Sequence, residues 1–219
     1  MIRRITRLPA ALALLIALGF STTAFSGPLL VCHGYDIGDA RSLPWSEDYV
    51  WSSSKPAYDL TRLVGETDAL LTPAAPIVVR METLRRAALY ASHDRAIAIQ
   101  LRDRLLARVE ASRQDGQAST VALVDAAYLL ATFHQIALMA PDADFRARAA
   151  NVSGLTNREN AQMLIEQAVR QQPENPAIEF AAALVTFGWN QPAYARFAHD
   201  TRMTAGRDAL VAKNVGLLR

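Results

Sequence analysis

Residues 121–140 run for twenty positions without a polar face. Val121, Leu123, Val124, Tyr128, Leu129, Leu130, Phe133, Ile136, Leu138 and Met139 fall on every side of a helical wheel. A strand of this length exceeds the usual ~3–10 residues, so the run reads as a helix. A helix that is apolar all round has to be covered all round, which places it in the middle of a bundle. Asp125, His134 and Gln135 within it argue against a lipid setting, where a carboxylate at the helix centre costs about 3 kcal/mol. If the helix is central, Asp125 is buried and needs a partner. An arginine from the preceding helices is the expected one, making Asp125 half of a structural ion pair.

The rest of the chain from Tyr58 onward carries helical punctuation. Leu60, Leu63 and Val64 begin a short helix that Thr72-Pro73 ends. Pro76 opens a second, with Met81, Leu84, Ala88 and Ala91 as the apolar stripe. Glu82 and Arg86 form an i,i+4 pair on its expected wet face. Ser92 and Asp94 mark a stop and restart. The next helix points Ile97, Leu101, Leu105 and Val109 inward, with Arg95, Arg102, Arg104 and Arg108 mostly outward, and ends at Gln114-Asp115-Gly116. Thr156 and Glu159 have the spacing of a capping box. A last helix is expected over about residues 204–218.

Ahead of this helical part, residues 27–57 hold Tyr35, Trp45, Tyr49 and Trp51 among Gly34, Gly38, Pro44 and Pro56, with no sustained period. They read as an irregular, aromatic-rich arm lying against the helices, since aromatics this dense are hard to leave in water. The expected organisation is therefore a leader over 1–26, the arm over 27–57, and one helical domain over 58–219. The expected fold is all-α, a stack of antiparallel helical hairpins.

The leader has Arg3, Arg4 and Arg7 before thirteen uncharged residues, Leu8 to Phe20, then small and polar residues up to Ser26. That is the layout of a secretory signal peptide, with cleavage after Ser26 or Ala24. The apolar run is shorter than the ~20 residues of a membrane span. Removing 1–26 takes away three arginines and no acid, moving the formal charge from +2 to −1. The balance then gives no footprint for nucleic acid or for a membrane surface. The expected location is the periplasm or outside the cell, with no stable membrane insertion after cleavage.

Cys32-His33 is the sharpest chemical candidate. Haem attachment normally needs Cys-x-x-Cys-His, and the first cysteine is absent. A structural metal needs three or four ligands, and no spacing brings Asp36 together with His93, His134 or His199. A nucleophilic thiol needs a histidine facing the sulfur, whereas neighbours in extended backbone point to opposite sides. The favoured reading of Cys32 is a small apolar thiol under the arm. There is no Gly-x-Ser-x-Gly, His-Glu-x-x-His or phosphate-binding glycine loop. No catalytic residue, metal site or cofactor is expected.

Two resemblances add to this. Ala161, Ile165, Ala168 and Pro173, followed by Asn175-Pro176, resemble the second helix and turn of a tetratricopeptide repeat, over residues 159–190 only. Val31-Cys32-His33 through Trp45, Thr67 through Ala87, and Asp125-Ala126-Ala127-Tyr128-Leu129 resemble an uncharacterised family of secreted bacterial helical proteins. That resemblance implies relatedness and carries no activity over. The first expectation for function is an exported helical scaffold that binds a protein or peptide partner, with Tyr35, Trp45, Tyr49 and Trp51 as candidate contacts. The alternative is a cell-wall-associated sugar-binding protein or enzyme using Trp45, Trp51 and a carboxylate. A thiol-dependent role for Cys32 and His33 is the third.

Overall fold

Short polar residues set the helix ends. The computed structural model describes residues 28–46, 55, 57–114, 119–139 and 141–218; the leader 1–26, Tyr49 and Trp51 lie outside them. Among the described residues there are ten α-helices and no strand. In chain order they are α1 (Leu29–Cys32), α2 (Leu63–Leu70), α3 (Ile77–Ala91), α4 (Arg95–Gln114), α5 (Thr120–Leu138), α6 (Ala143–Val152), α7 (Arg158–Gln171), α8 (Pro176–Thr186), α9 (Gln191–Thr204) and α10 (Ala209–Asn214). The break between α3 and α4 follows from Asp94, whose carboxylate accepts from the N–H groups of Ala96 and Ile97 at 2.7 and 3.2 Å. Asn175, Asn190 and Asp208 cap α8, α9 and α10 in the same way. Each such cap stabilises its helix by about 1 kcal/mol.

The central helix is α5. It packs against α1, α3, α4, α6, α7 and α8, and its side chains from Ala122 to Phe133 are all buried. It has the length and apolarity of a membrane span, and the protein's own helices enclose it. Small residues allow the close approach: Ala126, Ala127 and Ala131 on α5, and Ala161 and Ala168 on α7, are at most 1% exposed. The later helices pack in sequence, α7 on α8 and α8 on α9.

Four expectations need correction. Helix α3 has no wet face at its middle: every residue from Val78 to Arg85 is buried, and Glu82 is 1% exposed. The arm covers the side that a lone helix would show to water. Thr156 does not cap α7; Asn157 does, accepting from the N–H of Asn160 at 3.0 Å. Helix α6 forms in a segment from which no element was expected, and Asp142 caps it through the N–H of Phe145 at 2.8 Å. The single last helix is instead the end of α9, a 3-10 turn (Ala205–Arg207), α10 and a second 3-10 turn (Val215–Leu217). Asp208 forces that restart by accepting from Leu210 and Val211.

The arm is part of the core rather than a strap across it. Leu29, Leu30, Val31 and Leu43 are at most 1% exposed, and α1 packs on α3, α5 and α8. Burying an aliphatic side chain of this size stabilises by roughly 1.5–3 kcal/mol, enough to hold the arm in place. Its polar backbone is satisfied by side chains from the helices. Leu30 N–H donates to Gln135 Oε1 at 2.9 Å and Tyr35 N–H to Glu82 Oε2 at 3.1 Å. Asn214 of α10 both accepts from Asp36 N–H at 2.9 Å and donates to the Asp36 carbonyl at 2.8 Å.

Candidate functional site

Asp125 sits at the centre of the bundle, 1% exposed, with Arg80 of α3 as its partner. Arg80 Nε donates to Oδ1 at 2.8 Å and a terminal nitrogen to Oδ2 at 2.5 Å, the two-pronged geometry that suits arginine and carboxylate. The remaining guanidinium donors reach the carbonyls of Thr72 and Leu71. Arg108 of α4 stands 4.0 Å from the same carboxylate, donates to the Leu71 carbonyl at 2.9 Å, and meets Asp68 of α2 at 3.4 Å. Burial pushes the Asp125 carboxyl up, and both arginines pull against that. The group joins α2, α3, α4 and α5, and no second carboxylate shares Asp125 among the described residues.

A second buried polar group ties down the arm. Glu82 holds Arg85 through two bonds of 2.8 and 2.9 Å and Arg86 through one of 2.6 Å. Arg85 then donates to the carbonyl of Val31 at 3.2 Å, and Arg86 to that of Leu43 at 2.6 Å. Burial works against the Glu82 charge, yet the two guanidiniums hold its carboxyl below the usual glutamate value.

The arm residues singled out in the sequence are packing residues where the structure describes them. Tyr35 is 5% exposed, and its hydroxyl pairs with that of Tyr128 at 2.8 Å. The Trp45 ring meets Tyr90 edge-on at 5.5 Å, and the Arg85 guanidinium lies 5.1 Å from the ring centre. Cys32 closes α1 half-buried, and His33 follows in extended backbone. Burial pushes the Cys32 thiol up to about 11, with Arg85 pulling it down, so at neutral pH the sulfur is protonated. Among the described residues no cluster of His, Cys, Asp or Glu suited to a metal ion forms.

What the sequence reading did not single out is an open groove on the surface. Helices α4 and α7 both pack on α5, and between them lies a groove of about 690 Å³. Leu106 and Val109 from α4 and Met163 and Leu164 from α7 give it an apolar lining. Met163 is 59% exposed and Leu106 37% exposed. Glu110–Arg113 on one wall and Glu166–Arg170 on the other are intrahelical ion pairs, at 3.4 and 4.0 Å, that rim it.

Glu166 and Arg170 also line a second depression of about 470 Å³ toward α8 and α9. The two hollows therefore adjoin at the Glu166–Arg170 pair of α7. The second hollow is acidic: Glu166, Glu174, Glu179 and Asp200 outnumber Arg170 and Arg196 in its lining, and Arg207 lies 3.9 Å from Glu174. Arg196 is drawn over the ring of Phe197, 4.5 Å from its centre. Glu179 is buried, with Thr204 donating to it at 3.2 Å. Burial raises its carboxyl, with Asp200 and Glu174 adding to the effect.

The signal for this track is present in the sequence but faint. Leu106 and Met163 are apolar residues outside the inward registers of their helices, and single exposed apolar residues are common on any protein surface. Only the folded arrangement puts them on facing walls. No family model, curated protein or solved structure matches the chain.

Proposed function

We propose that this chain is an exported helical scaffold that holds a segment of a partner protein in the track along α7. The observation that carries the reading is that the apolar α4/α7 groove and the acidic hollow beside α9 meet at Glu166 and Arg170. A small molecule fills one compact pocket, whereas a peptide follows a track. Its charge pattern specifies the occupant: an amphipathic segment with two or three apolar residues against Leu106, Val109, Met163 and Leu164, followed by a lysine or arginine toward Glu179 and Asp200. The leader over residues 1–26 supports export, as does the resemblance to secreted bacterial helical proteins. The α7–α8–α9 succession supports a degenerate tetratricopeptide-like array, whose stacked helices offer elongated binding faces of this kind.

The test is photo-crosslinking in cells from a benzophenone amino acid placed at Met163 or at Leu106. The same probe at Met203, 73% exposed on α9, is the control. The expected result is a discrete adduct from both groove positions and none from Met203, with the attached peptide carrying apolar residues followed by a basic one. Adducts that do not differ between Met163 and Met203 would overturn the reading.

A further inference from the structure

A smaller cavity, apart from the track, lies where α5, the start of α7 and the turn after α8 meet. Its volume is about 330 Å³, and His134, Gln135, Leu138, Arg158, Phe187 and Trp189 contribute to its lining. Gly188, with φ +89, makes the left-handed turn that brings Phe187 and Trp189 to the same site. Three polar groups around the cavity, on Trp189, Gln135 and Arg158, keep hydrogen-bond donors that no described residue accepts from. The indole Nε1–H of Trp189 is buried and has no acceptor. Leaving such a donor without a partner is unfavourable in a folded protein, and a ligand oxygen would remove that penalty.

Gln135 is 6% exposed, and its amide oxygen is committed to the N–H of Leu30 at 2.9 Å. The group it can still offer is its NH2, another donor. Arg158 in the first turn of α7 makes no ion pair among the described residues. The His134 ring stands edge-on to Trp189 at 5.3 Å. Among the described residues no acidic side chain lines the cavity. Phe187 and Leu138, the latter 73% exposed, supply an apolar wall beside this set of donors.

We propose that this cavity binds a monocarboxylate with a compact apolar body. The carboxylate is held by the Arg158 guanidinium, the Gln135 amide and the Trp189 indole N–H, and the body lies against Phe187 and Leu138. A carboxylate is favoured over a cation because every uncommitted polar group but His134 is a donor and the one charged group is positive. The volume sits at the small end of ligand sites, which run from roughly 300 to 1,000 Å³. Such an acid can be a free organic acid or the C-terminus of a peptide ending in an apolar residue.

Calorimetric titration of the purified full chain tests this with 4-phenylbutyrate against 4-phenylbutylamine, matched in body and opposite in charge. Acetyl-Ala-Phe with a free carboxylate is titrated against its C-terminal amide. The expected result is saturable binding of an acid and none of the amine or amide. A tighter phenylbutyrate assigns a free acid, and a tighter dipeptide assigns a peptide terminus. Arg158→Gln, at an exposed position, should weaken acid binding at least about tenfold, as loss of a charge-assisted bond does. Trp189→Phe keeps the ring, removes the N–H and should weaken binding less. Arg146→Gln, exposed on α6, should leave it unchanged. Equal binding of acid and amine, no saturable binding of either acid, or full affinity in an Arg158→Gln chain of unchanged thermal midpoint would overturn the proposal.

Discussion

Changing Asp125 to Asn leaves the shape of the core intact and removes one charge from its centre. Arg80, with its guanidinium fully buried, then keeps its positive charge without a counter-ion. Arg108, 4.0 Å from the lost carboxylate oxygen, keeps Asp68 at 3.4 Å but adds a second positive charge beside Arg80. Stranding a buried charge in this way costs about 3–5 kcal/mol. Against a total stability of roughly 5–15 kcal/mol, Asp125→Asn should leave the protein at the edge of unfolding.

Removing both charges should cost less than removing one. In Arg80→Met with Asp125→Leu, the Leu71 carbonyl keeps its bond from Arg108 at 2.9 Å. The Thr72 carbonyl loses the Arg80 donor but keeps the Ala75 N–H at 3.1 Å, so the loss there is about 1 kcal/mol, that of one hydrogen bond. The double variant should therefore be more stable than Asp125→Asn by about 2 kcal/mol. Urea unfolding at pH 7 followed by far-ultraviolet circular dichroism measures this, read as a midpoint shift at constant m. A cost for Asp125→Asn below about 1 kcal/mol, or a double variant less stable than the single one, would show that the buried pair does not carry its charges as described.

The remaining predictions concern the arm. Glu82 has its carboxyl held below the ordinary 4.5 in the folded protein, so its contribution is complete above that value and lost as pH falls below it. Urea midpoints at pH 7, 5 and 3.5 should fall between the last two in the wild type, and fall less steeply in Glu82→Gln. With its thiol near 11, Cys32 should react with a disulfide reagent at pH 7.5 at least about 100-fold more slowly in the native protein than in denaturant; equal rates would place it at the surface. Tyr35→Phe leaves the buried Tyr128 hydroxyl without its partner at 2.8 Å and should cost about 1–3 kcal/mol in the same urea assay. Gly38 has φ +58 and no atom closer than 3.8 Å to an added Cβ. Gly38→Ala should therefore cost only the backbone strain, about 1–2 kcal/mol.

How far the sequence could be read varies with how local the cause is. The centrality of α5 follows from one helix's composition, because a surface with no polar side must be covered. The break at Asp94 and the restart at Asn175-Pro176 are equally local, each set by one side chain and two amides. Helix α3 shows the opposite case. Glu82 and Arg86 look like a wet face until the arm folds back and lends the backbone of Tyr35 and Leu43 as partners. Burial alone required a cation for Asp125, but the choice of Arg80 over the arginines of α4 depends on packing angles that no periodicity records. Helix α6 could have been found from Asp142 followed by Phe145 and Val152; its short length and weak apolar stripe hid it. The track along α7 was the least legible, since its two walls are separated by about fifty residues of chain.

Titration of an apolar-then-basic segment shows whether it occupies the track. The cross-linked peptide, once identified and synthesised, is titrated against the wild-type chain, Met163→Glu and Asp200→Lys. Met163 is well exposed and Asp200 half-buried at the rim, so both variants should fold. Each should lose at least about tenfold in affinity, the first from charge placed in the apolar half and the second from repulsion in the acidic half. Unchanged affinity in both variants would contradict occupancy of the track.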